Sequence, residues 1–139
     1  MATQGLLVAI TYVFMLTFIC FPGLSDDSSF DFLSNVHNEA NWYNLICLFI
    51  FNIFDLVGRY IGGIPCADVS RKTVLWLSAL RTLFIATFLL IAFEVSPGWL
   101  FRADWFKVFN YALFSLSNGY TGTLCAVKAP QTVEGDQKG

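Results

Sequence analysis

Three ionisable residues of this sequence lie inside long apolar stretches, where a charge is costly: Asp55, Arg59 and Arg81. A charged side chain near the centre of a lipid bilayer costs at least about 2.5–3.5 kcal/mol, so it is retained where it faces a partner or a water-filled cavity. Arg59 lies near the end of its stretch, and its long side chain could extend to the membrane interface. Asp55 is too short to do so, and it is therefore the stronger candidate for a functional site.

Polar neighbours share a helix face with Asp55. Asn52, Asp55 and Arg59 are spaced i, i+3 and i+7, which places them on one side of a helix. A second face of polar and small residues follows downstream, made of Ser115, Asn118, Gly119 and Gly122. On their own, Ser115 and Asn118 are equally well explained as helix-packing hydrogen bonds. With a carboxylate and a guanidinium on a facing helix, an aqueous pathway is the better explanation.

Enzymatic, metal-binding and nucleic-acid-binding functions find no support in the sequence. It contains one histidine, no Ser/His/Asp set and no glycine-rich phosphate loop, so we predict no catalytic residues, no metal site and no cofactor. Its four cysteines show no CxxC spacing and are expected to be small apolar packing residues. No basic patch is interleaved with aromatic residues, so nucleic acid is not an expected partner.

The elements that hold these residues are four apolar runs in a chain that is 56% hydrophobic and 13% charged. A helix needs about 20 mostly apolar residues to cross a bilayer, and none of the runs alternates with the period of two that a barrel requires. We predict an all-α membrane protein, with a membrane domain at 1–130 and a disordered polar tail at 131–139. The first run opens the chain as a signal peptide would, but no Lys or Arg precedes it and it is too long. The predicted membrane helices span about 5–23, 41–64, 73–93 and 105–127.

Helix geometry predicts that Asp55, Arg81 and Asn118 lie at the same depth. At a rise of 1.5 Å per residue, each is about 12–14 Å from the inner end of its helix. That depth is close to the bilayer midplane, where transporters bind their substrates. Positive residues set the orientation: the connection at 71–72 and the tail after 127 hold four bases, which predicts that both termini are cytosolic.

Several motifs together resemble one known family. Phe51 to Arg59 (FNIFDLVGR) closely resembles the signature of the eighth helix of equilibrative nucleoside transporters. Ser117 to Tyr120, followed by Leu124-Cys125, resembles the tenth-helix pattern of that family. Phe21-Pro22 is similar to the end of its seventh helix, and Ala79 to Arg81 to part of its ninth. The order and spacing match over nearly the whole chain.

The resemblance implies a fold, a function and a site. It implies that the four runs are helices seven to ten of an eleven-helix transporter, a partial bundle of the major-facilitator type. The function implied is facilitated diffusion of nucleosides across a membrane, most simply the plasma membrane. Family members contact the ribose hydroxyls with the acid and the arginine of the eighth helix, which implies this role for Asp55 and Arg59. Asn52, Arg81 and Asn118 are expected to support them.

Four helices supply only part of a transporter, because alternating access needs one bundle to rock against another. We therefore expect a truncated C-terminal fragment that cannot transport alone, unless the missing helices join it in cis or in trans. Its expected partners are a nucleoside, the lipid bilayer and those helices. A rival hypothesis is a four-helix membrane scaffold or partner-binding protein, in which Asp55 and Arg81 form a buried ion pair without a cavity.

Overall fold

The structure is a computed structural model that describes residues 2–24, 30–35, 37–64, 69–93 and 103–137. Within these residues the regular structure is entirely helical, as the sequence predicts. A π-helical segment, Ile19–Leu24, continues the first helix, and a 3₁₀ turn, Asp31–Leu33, precedes the second. The α-helices are α1 (Ala2–Phe18), α2 (Glu39–Gly62), α3 (Arg71–Leu80), α4 (Leu83–Ala92) and α5 (Asp104–Gln137).

Three helical stretches are long and apolar enough to cross a membrane: Gln4–Phe21, Asn41–Gly62 and Lys72–Ala92. Many large hydrophobic side chains on these stretches are exposed, among them Met15, Phe49, Leu56 and Trp76. Apolar surface of this extent is typical of a protein that contacts a membrane or further helices, rather than water. The first three predicted membrane helices are therefore present in the described residues.

The helix α5, which contains the fourth apolar run, has a different character. It packs against α1, α2, α3 and α4 and is the central helix of the described residues. Several of its polar side chains are buried against the other helices. Because of these polar residues, α5 is not among the stretches that are apolar enough to cross a membrane by composition. The buried polar residues of α5 are Lys107, Asn110, Ser115, Asn118 and Thr121.

The third predicted helix is interrupted in the structure. The sequence predicts one helix over 73–93, whereas α3 and α4 meet at a turn formed by Arg81 and Thr82. The Thr82 amide donates to the Ala79 carbonyl and the Phe84 amide to the Arg81 carbonyl, both at 3.0 Å. This i to i+3 pattern is the tighter winding of a 3₁₀ turn. The Thr82 hydroxyl also donates to the Ala79 carbonyl at 2.6 Å, and the turn places Arg81 at the joint.

The end of the first helix follows from its sequence. Phe21 has φ −141° and ψ 120°, an extended conformation inside the helical segment. The residue before a proline is restricted to such conformations, because the proline ring clashes with its backbone in the helical region.

At the other end of the chain, α5 continues to Gln137. It therefore passes Pro130 and includes most of the tail, for which the sequence predicts disorder.

Glycines bring α2 and α5 into direct backbone contact. A Cβ atom added at Gly58 would collide with the Leu116 carbonyl oxygen, and one added at Gly119 would collide with the Asp55 carbonyl oxygen. At Gly62 the added atom would lie 3.0 Å from the Tyr120 carbonyl oxygen. Small residues spaced four apart allow helix backbones to approach in this way. Gly58 and Gly62 form such a small-xxx-small pair, and it lies at the interface of α2 with α5.

Three of the four cysteines, Cys20, Cys47 and Cys125, are buried free thiols. This agrees with their predicted role as small packing residues. Cys66 lies outside the described residues.

Candidate functional site

The Asp55 carboxylate on α2 is held from two sides. Its Oδ1 atom accepts a hydrogen bond of 2.7 Å from Nδ2 of Asn118 on α5. Its Oδ2 atom lies 2.7 Å from Nε of Arg59, one turn along α2, in a salt bridge. A carboxylate has about four acceptor positions. Two therefore remain for hydroxyl or water donors.

Asn118 connects this carboxylate to two other helices. Its Oδ1 atom accepts a hydrogen bond of 2.7 Å from the Thr17 hydroxyl on α1 and one of 3.1 Å from Nη2 of Arg81. One side-chain amide therefore joins α1, α2, α5 and the turn between α3 and α4. Helix geometry predicts one depth for Asp55, Asn118 and Arg81, and in the structure hydrogen bonds join their side chains.

Arg81 is almost fully enclosed, with 2% of the residue exposed. Its Nη1 atom donates to the Phe114 carbonyl at 3.2 Å and to the Ser117 hydroxyl at 2.8 Å. Its Nη2 atom also lies 3.2 Å from the Thr17 hydroxyl oxygen. The guanidinium carbon is 4.8 Å from the centre of the Phe114 ring, a cation–π distance. Within the described residues, the charge of Arg81 is thus stabilised by hydrogen-bond acceptors and an aromatic face, and no counter-ion is in contact with it.

Arg59 is the opposite case, because 52% of its side chain is exposed, against 13% for Asp55. Its two Nη groups make no hydrogen bond to any residue that the structure describes, so they are available as donors. Arg59 and Asn118 line a partly open cleft of about 160 Å³ between α1, α2 and α5. The other lining residues are small or apolar: Ile10, Val13, Phe14, Gly122, Thr123 and Ala126.

The cleft is small for a complete binding site. Pockets that enclose drug-sized ligands have volumes of about 300–1,000 Å³. The described helices therefore offer a polar corner, in which Arg59 and Asn118 line the cleft next to an apolar wall. The Asp55 carboxylate is hydrogen-bonded to both residues but does not itself line the cleft. Such a corner can bind the hydroxyl-bearing part of a small solute.

Asn52 is not part of this network. Its side chain is exposed, and its Nδ2 atom donates to the Leu48 carbonyl one turn back, at 2.8 Å. It lies in an apolar groove on α2, among Leu45, Phe49 and Ile53. The structure thus brings together four of the five predicted site residues, Asp55, Arg59, Arg81 and Asn118, and leaves the fifth outside.

Sequence reasoning missed Thr17 and Ser117 as members of the network. Thr17 is a single hydroxyl in an apolar run, and such residues commonly bond to the backbone of their own helix. Here its one hydroxyl hydrogen is shared between the Val13 carbonyl oxygen, at 2.8 Å, and Oδ1 of Asn118, at 2.7 Å. Only the packing of α1 against α5 shows that its hydroxyl also reaches Asn118.

The rival hypothesis of a direct ion pair between Asp55 and Arg81 is not what the structure shows. Within the described residues these two side chains form no salt bridge with each other, and Asn118 lies between them with one hydrogen bond to each. A cleft is also present on the Arg59 side of the carboxylate.

Membrane-length apolar helices around an internal network of ionised and amide side chains define a class, the integral membrane proteins that handle polar solutes. The family follows from comparison with known sequences. The chain belongs to the nucleoside transporter family, whose sequence model, described as "Nucleoside transporter", matches residues 3–139. Members of this family are transporters, not enzymes.

Similar proteins come from plants, protozoa and animals. Equilibrative nucleotide transporter 2 of Arabidopsis thaliana is 35% identical over 126 residues, which cover 89% of this chain and 27% of that protein. Nucleoside transporter 1.2 of Leishmania donovani is 27% identical over 143 residues, covering 98% of this chain and 26% of that protein. Equilibrative nucleoside transporter 4 of Danio rerio is 26% identical over 138 residues, which cover 98% of this chain and 24% of that protein. The chain thus spans about a quarter of the length of the curated relatives it matches. No solved structure matches it.

Proposed function

We propose that this chain contributes the ribose-binding corner of a membrane site through which nucleosides cross by facilitated diffusion. The single observation that carries the proposal is the pairing of Asp55 with Arg59 at 2.7 Å beside the cleft that Arg59 and Asn118 line. Family membership supports a transporter role, and relatives are named as nucleoside or nucleotide transporters.

The chemistry of the corner suits a pair of neighbouring hydroxyl groups. The Asp55 carboxylate keeps acceptor positions beyond those used by Asn118 and Arg59, so it can accept from hydroxyl hydrogens. The unused Nη groups of Arg59 can donate to hydroxyl oxygens, and hydrogen bonds that involve a charged partner are the stronger ones. The apolar wall of the cleft lies next to this corner and suits the less polar face of a nucleoside.

On this proposal the chain forms a four-helix part of a major-facilitator-like bundle, with α5 as the fourth and central membrane span. Helices outside the chain, in cis or in trans, complete the pocket and are needed for transport. Two observations support this: a cleft of about 160 Å³ and relatives about four times as long. The bases near 71–72 and after 127 favour a topology with both termini in the cytosol, and the plasma membrane is the proposed location.

The test uses the protein expressed from its complete open reading frame in cells that lack endogenous nucleoside carriers. Uptake of labelled uridine and of labelled 2′,3′-dideoxyuridine is compared, because the second substrate lacks the neighbouring 2′- and 3′-hydroxyls of the ribose. We expect a lower KM for uridine, and we expect Asp55→Asn to remove most of this preference while the protein still reaches the membrane.

Asp31→Asn is the matched control, since it makes the same chemical change at an exposed acid on the 3₁₀ turn. It is expected to leave the preference for uridine unchanged. Absence of nucleoside uptake by the wild-type protein contradicts the transporter proposal. Uptake in which Asp55→Asn treats both substrates as the wild type does removes Asp55 from the site.

A further inference from the structure

We propose that Arg81 is a positioning residue: it fixes the orientation of the Asn118 amide, which in turn presents the Asp55 carboxylate to the substrate. This inference rests on the proposed function, and it assigns Arg81 a role different from direct substrate contact. It is carried by the hydrogen bonds that join Arg81 to Asn118 and Asn118 to Asp55.

Arg81 is enclosed on every side that could meet a ligand. Its two Nη groups are used by acceptors on α1 and α5, namely the Thr17 and Ser117 hydroxyls, the Phe114 carbonyl and the Asn118 amide oxygen. Its Nε atom is buried and has no hydrogen-bond partner among the residues that the structure describes. With 2% of the residue exposed, Arg81 does not line the cleft that Arg59 and Asn118 line.

The guanidinium of Arg81 and the carboxylate of Asp55 together decide which way the Asn118 amide points. An arginine side chain has only donors, so the atom of Asn118 that faces it must be the oxygen. The amide nitrogen then faces Asp55 and donates to Oδ1 at 2.7 Å. If the amide were reversed, its oxygen would oppose the carboxylate and its NH₂ group would oppose the guanidinium. Both contacts would be repulsive.

This arrangement leaves Asp55 in one geometry. With Oδ1 held by Asn118 and Oδ2 held by Arg59, the plane of the carboxylate is fixed, and its unused acceptor positions have a fixed direction. Loss of the Arg81 donor removes one of the two side-chain donors that hold the Asn118 amide oxygen, and leaves only Thr17. The amide is then held less firmly, and the orientation of the Asp55 carboxylate depends more on Arg59, whose side chain is half exposed.

The same network ties the site to two interruptions in the helices. Arg81 lies in the turn between α3 and α4, and Thr17 lies one residue before the end of α1, where the π-helical segment begins. Both residues contact the same oxygen of Asn118. A change of angle at either interruption therefore alters the direction of the Asp55 carboxylate.

Uptake kinetics test the inference with Arg81→Gln and Asn118→Leu in the protein expressed from its complete open reading frame. For each variant we expect the KM for uridine to rise about tenfold, the effect of losing one hydrogen bond to a charged group. For both variants the KM for 2′,3′-dideoxyuridine is expected to rise less than the KM for uridine. Arg81→Lys keeps a donor near Asn118 and is expected to recover part of the loss.

A double variant distinguishes positioning from contact. If Arg81 acts through Asn118, Arg81→Gln adds nothing to the effect of Asn118→Leu, because coupled residues are not additive. Additive losses would mean that Arg81 acts on the substrate independently, and equal losses for both substrates would mean a purely structural role. Either result overturns the inference.

If Arg81→Gln fails to reach the membrane, Thr17→Val removes the other donor to the same oxygen and is expected to give a smaller rise in the KM for uridine alone. No change with Thr17→Val would count against the inference.

A second measurement separates this inference from the proposed function. In the purified chain, the unfolding effects of Arg81→Gln and Asp55→Asn are expected to be non-additive, and to become additive when Asn118→Leu is also present. This result would support the link even if the protein carried no nucleoside. Additivity in the presence of Asn118 would refute the link while leaving nucleoside transport intact.

Discussion

Replacing Gly119 with alanine is expected to force α2 and α5 apart. A Cβ atom at this position would lie 2.8 Å from the Arg59 backbone nitrogen and 2.9 Å from the Asp55 carbonyl carbon, and closer still to the Asp55 carbonyl oxygen. Ordinary van der Waals contact begins at 3.4 Å. All three neighbours are backbone atoms of α2. No side-chain rotation can therefore relieve the collision, and the helix as a whole must move.

The cost can be isolated with a matched control on the same helix. Alanine favours a helix over glycine by about 1 kcal/mol, a gain that Gly119→Ala and Gly122→Ala share. At Gly122, however, an added Cβ atom meets nothing within 4 Å. The difference between the two variants therefore measures the collision alone, and overpacking of this kind costs about 1–3 kcal/mol. Because Asn118 adjoins Gly119, its 2.7 Å bond to Asp55 should lengthen as well.

Reversible unfolding of the purified chain in detergent measures this difference in stability. We expect Gly119→Ala to be less stable than Gly122→Ala by about 1–3 kcal/mol. Gly58→Ala should behave like Gly119→Ala, since its added atom meets the Leu116 carbonyl oxygen on the other side of the same interface. Equal stabilities for Gly119→Ala and Gly122→Ala would show that the two backbones are not in contact.

Three further substitutions test other parts of the structure. Gly122→Leu fills the cleft beside Arg59. It is expected to raise the KM for uridine at least fivefold, since the smallest cost of overpacking is about 1 kcal/mol. An unchanged KM would place the substrate elsewhere. Asn52→Leu removes only a bond to the backbone of its own helix, so uptake kinetics are expected to match the wild type, and a large rise in KM would return Asn52 to the site. Tyr12→Phe removes a hydrogen bond of 2.6 Å to the Thr82 hydroxyl, and unfolding should show a loss of about 0.5–1.5 kcal/mol; no loss would mean that α1 does not brace the turn.

The sequence predicted those structural features that depend only on residues close together in the chain. Phe21 precedes a proline, and its extended backbone ends the regular helix where Phe21-Pro22 predicts an end. The bounds of α2, Glu39–Gly62, differ by two residues at each end from the predicted 41–64. The spacing of Gly58 and Gly62 indicated a close approach, although it did not identify α5 as the partner.

The interruption at Arg81 could not be predicted, because its cause is distant in sequence. No proline or glycine marks the stretch from Thr73 to Phe93. The guanidinium is stabilised by acceptors on α1 and α5, 64 residues before it and up to 37 residues after it. Only the packed structure brings these acceptors together. The position of Asn52 outside the network has a local cause: its spacing matches that of Asp55, but its side chain bonds to the backbone of its own helix.

The backbone contact at Gly58 and Gly119 has a consequence for motion. Two helices without intervening side chains have no rotamers to exchange, so α2 and α5 should translate as one body and carry Asp55 and Asn118 with them. Within the described helices, bending is expected at the two places where the regular backbone hydrogen bonding is broken, at Phe21 and at Arg81-Thr82. Amide hydrogen exchange should therefore be slowest along the α2–α5 seam and fastest at these two hinges. A solute bound to Asp55 would therefore move α2 and α5 together, relative to the hinges at Phe21 and at Arg81-Thr82.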